Sequence, residues 1–222
     1  MTEFNEIKGF LFDLDGVITD TARFHAQAWH QLATTLGVQW TPALANELKG
    51  ISRMDSLEMI LKAGHIESNY SDAEKQQLAT QKNELYLQLI ETVTPNDTFP
   101  GIAAFLDELQ KNGYQMAIAS ASKNAPLVLK KLALTNYFPQ IVDPQTLHKG
   151  KPDPEIFLKA AQLLGLQPNQ CVGLEDAVAG IDSINGAGEV SIGIGSAQIL
   201  TKAHMTFSDT KDLTLANIQK NW

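Results

Sequence analysis

The chain has 222 residues, of which 44% are hydrophobic and 19% charged, with a net charge of -8. That is enough apolar material for one large core or a core with an insertion. The acidic balance argues against a broad surface for nucleic acid or anionic membrane, though it leaves room for a local cationic pocket. The single cysteine, Cys171, excludes an intrachain disulfide and reads as a small, reduced core residue. Met1 to Lys8 is polar and acidic, and no apolar run reaches membrane-spanning length, so the expected location is the cytoplasm.

Gly9 to Leu14 reads as a buried strand that runs into Asp13, Leu14, Asp15 and Gly16. Acids at alternate strand positions share a side, and either can reach a ligand above the strand end. Thr19 or Asp20 can cap a helix from about Thr21 to Leu36, stopped by Gly37. Thr41-Pro42 opens a short helix ended by Gly50, and Ser52 to Ala63 is a third helix. Ser71-Asp-Ala-Glu74 is a capping box for a long helix to about Val93, with Leu78, Leu85, Leu89 and Val93 at helical spacing. Pro95, Pro100 and Gly101 punctuate the exit.

Strands and helices then alternate. Helices are predicted over Gly101–Asn112, Ala125–Leu134, from Lys151-Pro-Asp-Pro154 to Leu164, from Glu175-Asp176 to Ala187, and over Asp212–Lys220. Strands are predicted over Tyr114–Ala119, Ile141–Asp143, Cys171–Leu174 and Val190–Ile194. The pattern predicts an α/β fold, a doubly wound parallel sheet of Rossmann-like type with an inserted all-helical cap. The expected division is a catalytic core of residues 1–18 and 96–222, and a cap of residues 19–95.

Ligands of open parallel sheets bind at the carboxyl ends of the strands. Asp13 and Asp15 fall there, as do Ser120, Lys151, Glu175 and Asp176. Each has an ordinary reading taken alone: a strand terminus, turn chemistry over Ser120–Asn124, a loop lysine, acids at a helix start. Together they make four carboxylates, one lysine and hydroxyl donors on one rim. Four carboxylates repel one another without a cation, and oxygen ligands favour a hard divalent ion, magnesium where phosphate shares the site. One carboxylate is then available to attack phosphorus, and a second to exchange a proton with a hydroxyl.

The motifs Asp13-Leu-Asp15-Gly-Val, Ser120, Lys151-Pro and Gly173-Leu-Glu-Asp176 resemble, in order, those of the haloacid dehalogenase superfamily of phosphotransferases. The resemblance extends through the cap to the β-phosphoglucomutase branch. It is carried by Phe12 to Thr21 with His25 and Trp29, Leu48-Lys-Gly-Ile-Ser-Arg53 with Asp55-Ser56, Lys82-Asn83, and Ala119 to Asn124. It implies Asp13 as nucleophile and Asp15 as general acid/base. Mg2+ would be held by Asp13, the backbone carbonyl of Asp15, Glu175 and Asp176. Ser120 and Lys151 would hold the transferring phosphoryl group, with Ala121 and Asn124 nearby. In the cap, Arg53 would grip a second phosphate, with Gly50 and Ser56 also binding substrate; His25 and Lys82 would orient Asp15, and Thr21 would sit at the hinge.

The physical reading of the cap residues has less force. An arginine after a glycine-containing loop suits a phosphate, yet a surface arginine, a structural histidine and a solvated helix lysine remain ordinary alternatives. Ala177, where such enzymes often carry serine, and Asp153, an acid beside Lys151, depart from the pattern without removing a catalytic group. The implied activity interconverts β-D-glucose 1-phosphate and D-glucose 6-phosphate through an aspartyl phosphate and a β-glucose 1,6-bisphosphate. The alternatives are a magnesium-dependent sugar-phosphate phosphatase and a non-catalytic phosphosugar-binding protein. Expected partners are a sugar phosphate and a sugar bisphosphate, with no nucleic acid, no membrane and a monomeric state.

Overall fold

The structure, a computed structural model, describes residues 3–222. In chain order, strand β1 (Gly9–Phe12) leads into helices α1 (Ala22–Thr35), α2 (Pro42–Glu47), α3 (Arg53–Ala63) and α4 (Asp72–Leu89). There follow α5 (Ile102–Lys111), β2 (Gln115–Ile118), α6 (Ala125–Lys131), β3 (Gln140–Ile141) and α7 (Glu155–Leu163). The chain ends with β4 (Cys171–Glu175), α8 (Val178–Ala187), β5 (Val190–Ile194), β6 (Met205–Phe207) and α9 (Leu215–Lys220). It divides into two compact units, one of Thr21–Thr92 and one of the N-terminal segment through Asp20 with Val93–Trp222.

The larger unit holds a six-stranded sheet in the order β3-β2-β1-β4-β5-β6. Every pairing is parallel, with Phe12 beside Ile118 on one side and Leu174 on the other. The central strand β1 is buried on both faces. Phe10 and Phe12 meet Phe105 edge-on at ring separations of 5.8 and 6.2 Å, and Phe12 meets Phe138 at 5.4 Å. Leu11, on the alternate face, joins Phe157 and Ala160 of α7 and Ile181 and Ile184 of α8 in a second core layer. Parallel strands with apolar residues on both faces require helices on both faces, which fixes the doubly wound arrangement.

Some details differ from the sequence expectation. Strand β1 stops at Phe12 rather than Leu14. The Asp13 N–H still donates to the Leu174 carbonyl at 3.0 Å, but Gly16 N–H turns back to Thr19 O at 2.8 Å and Ile18 N–H to Leu14 O at 3.0 Å. Helix α1 is preceded by Thr21, which makes no side-chain cap, rather than being capped by Thr19 or Asp20. The Thr19 hydroxyl instead donates to Asp97 O at 2.7 Å, and Thr19 bridges Thr98, so the chain's exit towards α1 and its return before α5 are tied together. Strand β6 was not anticipated: at three residues it is too short to show a period.

The smaller unit packs Trp29, Leu32 and Ala33 of α1, Leu44 of α2, Leu57, Ile60 and Leu61 of α3, and Ala79 of α4 into its own core. The starts of α3 and α4 follow the sequence signals. Ser52 and Ser71 hydroxyls accept from Asp55 and Glu74 N–H, the latter completing a capping box. The buried stripe of α4 is not the leucine series. It is Ala79, Lys82 and Tyr86, with Leu78, Leu85 and Leu89 half-buried beside it. Among the described residues no helix is long and apolar enough to cross a membrane.

Candidate active site

Asp13 directly follows β1, Ser120 follows β2, and Glu175 ends β4 with Asp176 next to it. The strands are parallel and in register, so these residues share one edge of the sheet. Lys151 arrives on the segment between β3 and α7. Its ammonium is enclosed, and it donates to Asp13 Oδ1 at 2.6 Å and to Glu175 Oε2 at 2.7 Å. The other oxygen of Glu175 accepts from Asp176 N–H and Ala177 N–H, both at 3.2 Å. Residues from positions 13, 151 and 175 thus form one buried charge cluster.

Its electrostatics are those of excess negative charge. Burial pushes the Asp13 carboxyl up to about 7, against the pull of Lys151 and with the push of Glu175. Burial likewise pushes the Glu175 carboxyl up, Lys151 opposing and Asp176 adding to it. Burial works against charge on Lys151 as well, but Asp13 and Glu175 outweigh it and hold the ammonium above its ordinary value. Ligand oxygens of Asp13, Glu175 and Asp176 all lie within 4.8 Å of one another. An all-oxygen donor set with more acid than its lysine can neutralise fits a hard divalent cation.

Two glycines make room for these carboxylates. Gly180 lies in the first turn of α8, and a Cβ there would fall 1.9 Å from the Glu175 carboxyl. Gly16, at φ +83°, would place a Cβ 2.2 Å from Asp176 Oδ2. The sequence reading places Gly16 in the first motif and gives Gly180 no role. The available signal was a glycine inside a helix, where it costs about 1 kcal/mol relative to alanine unless something needs the space.

The remaining core residues are nearby in the chain. Asp15 is half-buried, bridges Thr19, and is not among the side chains of the acidic cluster; its expected ligand atom was the backbone carbonyl. The Ser120 hydroxyl is buried and accepts from Ser122 N–H at 3.1 Å, so the turn chemistry is real and coexists with a place at the rim. Ala121 and Asn124 are half-buried, and Asn124 precedes α6 without a side-chain cap.

In the helical unit, Lys82 is buried and its ammonium lies 2.6 Å from His25 Nδ1. An ammonium has only donors, so Nδ1 accepts and the ring proton sits on Nε2. Burial, then Lys82, then Arg53 push the His25 pKa well down, which keeps the ring neutral. The Lys82 charge also lies 4.7 Å from the Trp29 ring and 5.1 Å from the Tyr86 ring, and Tyr86 stacks on His25 at 3.9 Å. Arg53, first residue of α3, donates to Asn83 Oδ1 at 2.7 Å. Ser56 and Thr21 are buried and Gly50 is half-buried at φ +71°. Tyr86 was missed in the sequence because an aromatic on a helix reads as core.

Known proteins share this plan. A family model for haloacid dehalogenase-like hydrolases matches residues 7–188. The chain is 45% identical over 216 residues to the β-phosphoglucomutase of Bacillus subtilis (strain 168), covering 97% of this chain and 96% of that protein. It is 31% identical over 186 residues to a fructose-1-phosphate phosphatase of Escherichia coli (strain K12), covering 83% of this chain and 95% of that one. The crystal structure of β-phosphoglucomutase from Clostridium difficile superposes with a TM-score of 0.95 at 43% identity, covering 97% of this chain and 96% of that one. With strand-end acids, the buried lysine and the family model all falling on the same sheet, the chain belongs to the haloacid dehalogenase-like hydrolase family.

Proposed function

We propose that the protein interconverts β-D-glucose 1-phosphate and D-glucose 6-phosphate by way of an aspartyl phosphate and β-glucose 1,6-bisphosphate. The observation that carries the chemistry is the Asp13 carboxylate pinned at 2.6 Å to a lysine that also meets Glu175. Mutase rather than phosphatase is supported by likeness to β-phosphoglucomutases over nearly the whole chain, helical unit included.

In this reading Asp13 carries the phosphoryl group. It donates it to the sugar 6-hydroxyl, whose proton passes to Asp15, and the bisphosphate results. After the sugar reorients, Asp13 takes the 1-phosphoryl group and Asp15 returns the proton to the departing anomeric oxygen. Lys151 and Ser120 hold the non-bridging oxygens in transit. Asp13, the Asp15 carbonyl, Glu175 and Asp176 would hold Mg2+, which when bound neutralises phosphoryl charge. Arg53 takes the second phosphate through the part of its guanidinium not given to Asn83, and the His25–Lys82 pair fixes the Asp15 proton relay. Thr21, Gly50, Ser56, Ala121 and Asn124 complete sugar and phosphate binding. The enzyme acts as a monomer in the cytoplasm, on sugar phosphates.

The test is a product assay with magnesium, a β-glucose 1,6-bisphosphate primer and β-glucose 1-phosphate. Glucose 6-phosphate forming well ahead of free phosphate supports the mutase. Free phosphate released at a comparable rate supports the second reading, a sugar-phosphate phosphatase, which the likeness to the Escherichia coli phosphatase favours.

A further inference from the structure

The Lys151 ammonium must sit within hydrogen-bonding distance of two carboxylates at once, yet Lys151 stands on an irregular segment between β3 and α7. A long, flexible side chain on a loop holds such a position only if the backbone beneath it is fixed. The fixing group is the carboxylate of Glu155, the first residue of α7. Its Oε2 accepts from His148 N–H at 2.8 Å and Lys149 N–H at 2.9 Å, the two residues that enter the Lys151 turn. Its Oε1 faces His148 Nδ1 at 3.0 Å and Lys159 Nζ at 3.4 Å. On the far side of Lys151 the buried Ser183 hydroxyl of α8 donates to Asp153 O at 2.7 Å, and Asp153 N–H closes the turn onto Gly150 O at 3.0 Å.

We propose that Glu155 is a positioning residue for phosphoryl transfer: its carboxylate clamps the backbone before Lys151 and thereby sets where the Lys151 ammonium lies between Asp13 and Glu175. The inference rests on the phosphotransfer reading of Lys151. The donors to Glu155 are two backbone amides, an imidazole and an ammonium, and these hydrogen bonds, His148 first, hold its carboxyl down at about 2. The clamp therefore stays ionised over the working pH range. Its place in the chain matters: a misplacement of about 1 Å by a residue away from the chemistry can cost about 100-fold in rate.

Glu155→Ala and Glu155→Gln in the full chain test this. For β-glucose 1-phosphate, Glu155→Ala is expected to lower kcat about 100-fold, with KM nearly unchanged and thermal unfolding still a single transition. Glu155→Gln, which keeps an acceptor for one or both amides, should restore a good part of the loss. The slowly exchanging Nζ signal of Lys151 in 15N-lysine-labelled protein, identified by its disappearance in Lys151→Arg, should shift or broaden in Glu155→Ala. Unaltered kcat with an unmoved Lys151 signal overturns the proposal. Should Glu155→Ala fail to fold, Glu155→Gln decides by the same two readouts at smaller amplitude. If the parent protein does not turn over β-glucose 1-phosphate, the mutase reading fails, and the Lys151 signal alone decides whether Glu155 positions that ammonium.

Discussion

Two buried glutamates at the ends of neighbouring strands show how differently one sheet treats a carboxylate. Glu175, at the C-terminal end of β4, accepts from the Lys151 ammonium and two backbone N–H groups. Glu189 precedes β5 at the opposite end, and neither of its buried oxygens has a hydrogen-bond partner. The pairing of Val172 with Val190 places Glu189 beside Cys171 on β4, and its N–H reaches back to Ile184 O near the negative end of α8. Burial pushes the Glu189 carboxyl up to about 8, and burial with Glu189 pushes the Cys171 thiol up to about 12. At one end of the sheet a buried acid is kept with a cation and is available for chemistry. At the other end burial favours the protonated form of the acid, which makes stability depend on pH.

This contrast can be broken from either side. The largest effect is expected for Lys151→Met, which leaves Asp13 and Glu175 buried without their ammonium. Removing one partner of a buried pair costs about 3–5 kcal/mol, read by urea denaturation, and turnover should vanish with it. Gly180→Ala comes next. Its methyl group competes with the Glu175 carboxyl for the same space, so activity should fall at least about 100-fold. A measurable shift in metal affinity by calorimetry should accompany that loss, and unaltered activity would mean Glu175 is not needed where it stands.

Glu189→Gln is expected to sharpen the comparison without touching catalysis. The folded protein keeps the Glu189 proton up to about pH 8, while the unfolded chain releases it near the ordinary value of 4.5. Folding then takes up a proton between those limits, so stability erodes as pH rises from about 4.5 to about 8 and the erosion stops above that. Glu189→Gln should flatten this slope and raise stability at pH 8, by at most about 5 kcal/mol, with kcat unchanged. A denaturation midpoint with the same pH slope in parent and variant would show that Glu189 is ionised in the fold.

Much of this was legible in the sequence because strand ends and carboxylates coincide in it. Asp13, Ser120 and Glu175 each follow an apolar run, and parallel order alone gathers such ends on one edge. The helical insertion was legible from capping serines and glycine stops. What stayed hidden depends on groups that carry no period. Glu155 reads as an ordinary first-turn acid, and only the fold shows its oxygens on the His148 and Lys149 amides. Lys82 was marked only by the resemblance; by residue type it reads as a solvated helix charge, and only the fold shows His25, Trp29 and Tyr86 around it. Strand β6 and the unpaired Glu189 are likewise set by neighbours distant in sequence.

The most direct test asks whether a phosphoryl group resides on the first strand's acid. The protein, supplied with magnesium and β-glucose 1,6-bisphosphate, is quenched, reduced with borohydride and mapped by peptide mass spectrometry. Conversion of Asp13 to homoserine is the predicted result. Homoserine at another aspartate, or none while turnover proceeds, would contradict Asp13 as the carrier.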